Sequence, residues 1–312
     1  MKILFIAYYF EPFEGVGAKR ISYWAKNLKR VNPSIEQCDV ITATKQNRNS
    51  VFEYIDNIYY VETSKNSLFG KVFKFDPGAS WLKNLKKFTK ENIKKNSYDY
   101  VIITGNPFLH FFIINEYKKL GIQTILDFRD PFATNPRGMQ LDSPIKKLKN
   151  SILKRIEKYF IKNANYIITV NKYCVVLLQD HEKFKDKIYT IDNGYDEQLL
   201  NLVDIKKIEK KLPLKICYAG KLYRDRNPLN FIDVINQQDN FVFHHIGEES
   251  EYLVDVNEEK IIKHGVKSYL ETLNIIGEME IAIIFTSGYT FESTTKIFDY
   301  IALDRIILII NK

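Results

Sequence analysis

The chain has 312 residues, 45% of them hydrophobic and 27% charged, an ordinary globular composition with room for two α/β domains or one large one. No apolar run approaches the ~20 residues that span a bilayer, and three scattered cysteines, Cys38, Cys174 and Cys217, argue against a disulfide framework and for a reducing, cytoplasmic setting. Charge is uneven: residues 1–190 hold 32 Lys+Arg against 18 Asp+Glu, a net +14, while residues 191–312 hold 14 against 20, a net −6. A basic first half suits a polyanionic partner, nucleic acid or an anionic membrane surface, or is a solvated Lys-rich surface.

Met1–Phe10 has one Lys, a short apolar stretch, then Glu11-Pro12 and no small-residue cleavage site. It reads as a buried first strand rather than a signal peptide. Strand-like runs follow at Asp39–Ala43, Tyr100–Thr104, Thr124–Phe128 and Tyr166–Val170. Amphipathic stretches lie between them. One carries Ile21, Trp24, Ala25 and Leu28 at helical spacing; others run from about Ser80 to Lys95 and from Pro107 to Leu120. Such alternation predicts a parallel sheet with helices on both faces. After the turn Asn193-Gly194-Tyr195-Asp196 the pattern restarts with Leu214–Ala219, Phe241–Ile246, Ile281–Phe285 and Ile306–Ile310. Two domains are therefore expected, 1–195 and 196–312. The last run has nothing after it to cover it, so the second domain reads as truncated.

Ligands of open parallel sheets bind outside the carboxyl ends of the strands, which directs attention to three loops. Glu14-Gly15-Val16-Gly17-Ala18-Lys19-Arg20 follows the first strand and opens a helix. Gly15 and Gly17 let backbone N–H groups approach an anion there. A dinucleotide fingerprint needs a third glycine where Arg20 stands, so NAD binding is poorly supported. The second loop, Gly220 to Pro228, places Lys221, Arg224 and Arg226 within six residues after a strand, a diphosphate site if the side chains converge. The third, from Glu292 through Ser293, Thr294, Thr295 and Lys296 to Asp299, starts a helix that Ser293 or Thr294 can cap. Free N–H groups at that start could hold phosphate, and Asp299 could accept from ribose hydroxyls.

The order of these segments resembles the family 4 glycosyltransferases of bacterial polysaccharide assembly, over nearly the whole chain. Met1–Arg30 is similar to the family opening. Asp76-Pro77 with Trp81 resembles its middle segment. Asn106-Pro107 with His110, then Asp127-Phe128-Arg129-Asp130-Pro131-Phe132, resembles its Asp-x-Arg-Asp-Pro-Trp stretch, with Phe for Trp. Asn193-Gly194-Tyr195-Asp196 resembles the Asn-Gly-Val-Asp turn before the second domain.

The resemblance implies a GT-B fold, two Rossmann-like doubly wound domains facing a cleft, and a retaining sugar transferase in surface polysaccharide synthesis. Its substrates would be a nucleotide-sugar donor and a glycan or lipid-linked acceptor. Lys221 and Arg226 stand where the family's Gly-Arg-Leu-x-x-x-Lys-Gly motif has the Arg and Lys that hold the donor diphosphate, with Asn227 for the last Gly. Asp299 matches the second of two acidic residues; the first would fall on Phe291, one position before Glu292. Gly265-Val266 resembles the loop that meets the base, and His110 the residue that faces the donor sugar. Arg129 and Asp130 fall on the acceptor side. In this reading Gly15, Gly17, Gly220, Thr294, Thr295 and Lys296 complete the donor site.

No cofactor is expected. The chain has no Asp-x-Asp pair for a divalent metal and no Cys/His spacing for zinc, and His244-His245 lies in a strand, one ring to each face. The competing readings are a GT-B-shaped sugar-nucleotide epimerase or phosphorylase, and a basic nucleic-acid-binding α/β protein. The latter accounts for the basic half but not for Lys221, Arg226 and Asp299 in family order, so nucleic acid is not the expected partner. A membrane surface is, through residues 65–95, where Trp81, Leu85 and Phe88 share one helix face that either packs on the sheet or enters lipid.

Overall fold

The computed structural model describes every residue except 14, 47–51, 136–142, 180–181, 209–210, 227, 255, 291, 293 and 312, and only the backbone of 16, 182, 183, 185 and 225. It divides into two compact units, Met1–Asp192 and Asn193–Lys312.

The first unit runs β1 (Lys2–Ala7), α1 (Val16–Val31), β2 (Gln37–Thr42), β3 (Asn57–Tyr60), α2 (Leu68–Val72), α3 (Gly78–Asn92), β4 (Tyr100–Thr104), α4 (Ile114–Lys119), β5 (Gln123–Arg129), α5 (Pro144–Asn163), β6 (Tyr166–Thr169), α6 (Lys172–Leu178) and β7 (Ile188–Thr190). Its seven strands are parallel, in the order β3-β2-β1-β4-β5-β6-β7. β1 shows why. Leu4 and Ile6 enter one core cluster, Ile3, Phe5 and Ala7 the other, so both faces are covered and the strand reads as a continuous apolar run. β3 and β7 escape the periodicity argument because they are short and half exposed.

α3 settles what its apolar face does. Trp81 and Leu85 have no exposed surface, Trp81 Nε1 donates to the Val61 carbonyl at 2.8 Å, and Phe88 packs on Tyr59. The face lies on the sheet, so it is not the part that enters lipid.

The second unit runs α7 (Glu197–Leu200), β8 (Leu214–Ala219), α8 (Leu229–Gln237), β9 (Phe241–Ile246), β10 (Ile261–Gly265), α9 (Tyr269–Gly277), β11 (Ile281–Thr286), α10 (Lys296–Ala302) and β12 (Ile306–Asn311). Asp196 of the predicted turn caps α7, accepting from the Gln198 and Leu199 N–H groups. The five parallel strands lie in the order β10-β9-β8-β11-β12. β12 is an edge strand with Ile306, Leu308 and Ile309 exposed.

In each sheet the strand order reverses once, between β1 and β4 in the first and between β8 and β11 in the second. Doubly wound sheets bind ligands at such switch points, outside the carboxyl ends of the strands. The loops after β1, β4, β8 and β11 are therefore where side chains can act on a substrate.

Candidate functional site

In the second unit three adjacent strands end on glycine. Gly220 follows β8 and donates to the Ile246 carbonyl; Gly247 follows β9 and donates to the Gly265 carbonyl that closes β10. A Cβ at Gly247 would stand 2.7 Å from the Gly220 oxygen, so the strand ends approach more closely than any side chain allows. Gly220 has φ +130 and Gly265 φ +70, with open space beside Gly265. The next residue, Val266, is exposed, which leaves this backbone accessible at the rim.

Over Gly220 sits a cationic group. A Cβ there would lie 3.0 Å from both Cε and Nζ of Lys296, and the Lys296 ammonium stands 4.8 Å from the Tyr218 ring centroid. Burial lowers its pKa to about 8, the nearby Arg226 charge adding to the effect. Arg226, in a short 3₁₀ turn after β8, donates through Nη2 to Glu292 Oε1 at 2.5 Å and through Nη1 to Tyr218 Oη at 3.4 Å. Burial opposes its charge, but Tyr218 and Glu292 outweigh that and raise its pKa. Its buried Nε makes no hydrogen bond. Glu292 is held in turn by the Ser287 N–H and hydroxyl after β11. Both sides of the β8/β11 switch point are thus tied together by one ion pair.

One turn along α10, Asp299 accepts from Tyr269 Oη of α9 at 2.5 Å. Residues 296 and 299 share a helix side, so a cation and a carboxylate follow one another along it. Thr295 occupies the N-cap position without a side-chain bond and Thr294 precedes it. The capping expected of Ser293 or Thr294 is therefore corrected as far as Thr294 goes: the helix starts at Lys296, too late for Thr294 to reach its N–H groups as a cap. Ser293, Phe291, Asn227 and Glu14 lie outside the described residues.

Lys221 stands apart. Its ammonium pairs with Glu248 at 3.0 Å, both side chains more than half exposed. The sequence placed Lys221 beside Arg226; the fold brings Lys296 there instead. Tyr218, Tyr269 and the Glu292 latch were missed, since nothing in the spacing ties β8 or α9 to α10.

In the first unit Gly15 is the N-cap of α1. A Cβ on Gly17 would come within 3.2 Å of Arg129 Nη1 and 3.9 Å of the Asn106 oxygen. The loops after β1, β4 and β5 therefore meet, with the Arg129 guanidinium among them and its buried Nη1 making no hydrogen bond. Arg129 has φ +55, and its carbonyl accepts from the Thr169 hydroxyl. Asp130 is half-buried next to Arg129, and its charge adds to the burial that raises the Cys174 thiol to about 11. Arg20 is buried against Asp127 at 3.3 Å, donates to the Ile191 and Asp192 carbonyls and stacks on Trp24. The position that excludes a dinucleotide glycine thus pins the end of β7 to α1.

His110 is not at a surface. Its ring is fully buried against Trp81 and Phe111, and burial lowers its pKa to about 3. A Cβ on Gly78 would lie 2.9 Å from its Nδ1. The expected sugar contact is corrected to a packing role, because α3 covers the ring. Asp76 explains the neighbouring motif: its carboxylate accepts from the Gly78, Phe108 and Leu109 N–H groups and ties the start of α3 to the loop after β4.

Among the described residues no three His, Cys, Asp or Glu side chains gather as a metal site, and no helix is long and apolar enough to cross a membrane. No family model matches the chain, and no curated protein matches it. Solved structures do. HepE of Anabaena, in complex with UDP and glucose, matches with a TM-score of 0.63 at 11% identity, covering 98% of this chain and 80% of HepE. The lipopolysaccharide outer core galactosyltransferase WaaB matches with a TM-score of 0.62 at 17% identity, covering 99% and 80%. The fold is GT-B. A UDP-GlcNAc 2-epimerase from Neisseria meningitidis, bound to UDP-GlcNAc, is also similar, with a TM-score of 0.54 at 13% identity over 91% of this chain and 77% of that one. At these identities the likeness speaks for the architecture, and chemistry has to be argued from the side chains.

Proposed function

We propose that this GT-B chain is a glycosyltransferase, of the family 4 type, that moves a hexose from a nucleotide-diphosphate donor to a glycan or lipid-linked acceptor in cytoplasmic polysaccharide synthesis. The observation that carries the reading is the convergence of Arg226 and Lys296 beside Gly220 at the β8/β11 switch point, with Asp299 one turn further along α10. Two cations beside an open strand end match a diphosphate, and a carboxylate beyond them matches a ribose. HepE and WaaB, whose structures concern UDP-glucose and galactosyl transfer, support the same class of donor.

Breaking the anomeric C–O bond leaves negative charge on the departing diphosphate. Arg226 and Lys296 are preorganised to receive it, which is where electrostatic catalysis does most. The diphosphate takes the place of Glu292 at Arg226, and the displaced carboxylate, still held by Ser287, can turn to accept from a donor hydroxyl. Lys221 joins from the rim by exchanging Glu248 for phosphate, and the Gly265-Val266 backbone meets the base. In the first unit Arg129 and Asp130 form the acceptor side. Anomeric configuration is retained and no metal is needed.

Calorimetry with a panel of nucleoside diphosphates, followed by transfer assays with the matching nucleotide sugar with and without chelator, tests the proposal. Binding of a nucleoside diphosphate with chelator-resistant transfer is expected. Epimerised donor without transfer, as the 2-epimerase neighbours would suggest, overturns it.

A further inference from the structure

β9 carries two consecutive histidines, and each holds a different neighbouring strand. His245 lies beside Tyr218, its register partner on β8, with the two rings only 14° from parallel. Its Nε2 stands 2.9 Å from the Gly220 carbonyl oxygen. A carbonyl only accepts, so Nε2 carries the proton and donates. His244 points to the opposite face of the sheet. Its Nδ1 stands 2.9 Å from Nε2 of His264 on β10, with ring centroids 5.2 Å apart and planes at 20°. One of these two nitrogens donates to the other.

The fold keeps the three rings uncharged at neutral pH. Burial lowers the pKa of His244 to about 4, with His264 and Lys215 adding to the effect and Glu278 opposing it. Burial lowers His245 and His264 as well, and Lys267 contributes at His264. The imidazoles therefore act as hydrogen-bonding groups and leave the diphosphate charge to Arg226 and Lys296. Apolar side chains could fill the same space without a polar atom to satisfy. What the hydrogen bonds add is a fixed geometry.

That geometry bears on the end of β10, where the ladder is irregular. Lys263 pairs with His245 and Gly265 with Ile246, so the register shifts at His264. Irregular pairing of this kind re-aims a side chain and recurs next to active sites. Gly265 follows at once with φ +70, then exposed Val266. The Gly265 carbonyl is held by the Gly247 N–H, and the residue before it is held by the His264 ring on His244. On the other side of β9, His245 holds the Gly220 carbonyl, beside which Lys296 lies.

We infer that the two histidines of β9 are positioning residues for different parts of the donor: His244, through His264, sets the Gly265-Val266 rim that meets the base, and His245 sets the Gly220 turn at the diphosphate end. The inference rests on the donor site proposed above. It makes base selectivity depend on a ring pair that touches no ligand, and it separates base recognition from diphosphate binding across the two faces of one strand.

Calorimetry on the full chain with two probes is the test. One is the tightest binder among UDP, ADP, GDP and dTDP; the other is inorganic pyrophosphate, which has no base. His264→Ala and His244→Leu should each weaken the nucleoside diphosphate by about fivefold, the worth of one lost hydrogen bond, and leave pyrophosphate unchanged. The double variant should lose no more than either single one, since both remove the same bond. His264→Gln, whose amide can still bond to His244, should recover most of the loss. His245→Leu should weaken both probes alike. His264 is only half-buried, so its variants carry the test even if His244→Leu does not fold. Parallel losses of both probes in His264→Ala, or no loss of either, overturn the inference while the donor reading stands. A His245→Leu loss confined to the nucleoside diphosphate also overturns it. Failure of the parent to bind any nucleoside diphosphate overturns both the inference and the donor reading.

Discussion

Arg226 and Glu292 hold each other across the β8/β11 switch point at 2.5 Å, each only 12% exposed. A buried ion pair is costly to break from one side, because the remaining charge is left without a partner. A dianionic diphosphate can replace the carboxylate at Arg226; neutral or cationic ligands cannot. The pair therefore keeps the cation in place and sets a threshold for what may displace its partner.

Arg226→Ala should slow turnover severely, on the order of 2–4 kcal/mol of barrier for one lost charge-assisted bond to the developing anion. Lys221→Ala should cost less, since Lys221 is exposed and paired with Glu248. Steady-state kinetics on the two variants decides the ranking. Equal losses would mean that Lys221 bears on the departing phosphate as closely as Arg226 does.

Lys296 should make nucleotide binding depend on pH. Its pKa is lowered to about 8 from 10.5, so the ammonium that attracts the diphosphate is lost as pH rises through 8. Affinity should then fall by about tenfold per pH unit until the bound form also deprotonates. Fold stability moves the other way. The unfolded chain binds more protons between pH 8 and 10.5, so this residue's contribution to stability rises with pH across that window. Calorimetry from pH 7 to about 9.5 on the parent and on Lys296→Arg checks it; the arginine variant should show a flat profile.

Asp299→Asn should weaken nucleoside diphosphate binding by roughly 1.5–3 kcal/mol, the value of hydrogen bonds to a charged acceptor, and change turnover at saturating donor much less. Tyr269→Phe should produce a smaller loss, since it removes the bond that orients the Asp299 carboxylate. An unchanged dissociation constant for Asp299→Asn excludes the ribose role.

His110 should report on the core rather than on chemistry. Its pKa in the fold is about 3 against 6.5 for an exposed ring, so the unfolded chain binds the extra proton between those values. Stability should fall as pH drops from 6.5 towards 3, and His110→Leu should lose less over that range than the parent. Denaturant titrations at several pH values measure this. Trp81→Ala, which empties the site beside it, should cost about 3–5 kcal/mol.

Much was legible before any tertiary contact was known. Covered parallel strands must be apolar on both faces, so β1, β4, β5 and β6 stand out as runs, and the restart after Asn193 marks a second sheet. Glycine at the mouth of a strand and cations just after it are local signals, and Gly220 and Arg226 carry them. The loops that hold chemistry follow from strand order alone, because ligands of doubly wound sheets collect where the order reverses.

The tertiary structure decided which side chains meet. Lys221 and Lys296 are both lysines near strand ends, and only packing shows that Lys296 lies over Gly220 while Lys221 turns to Glu248. The spacing Glu292 to Asp299 looked like a motif displaced by one position; in space Glu292 answers to Arg226, 66 residues away. His110 and the Trp81 face have the composition of a site and a membrane contact, yet both are buried, whereas Ile145 and Leu148 are not. Periodicity along a chain reveals that a helix has an apolar side. What that side faces depends on elements distant in sequence, and for α3 and α5 the answers are opposite.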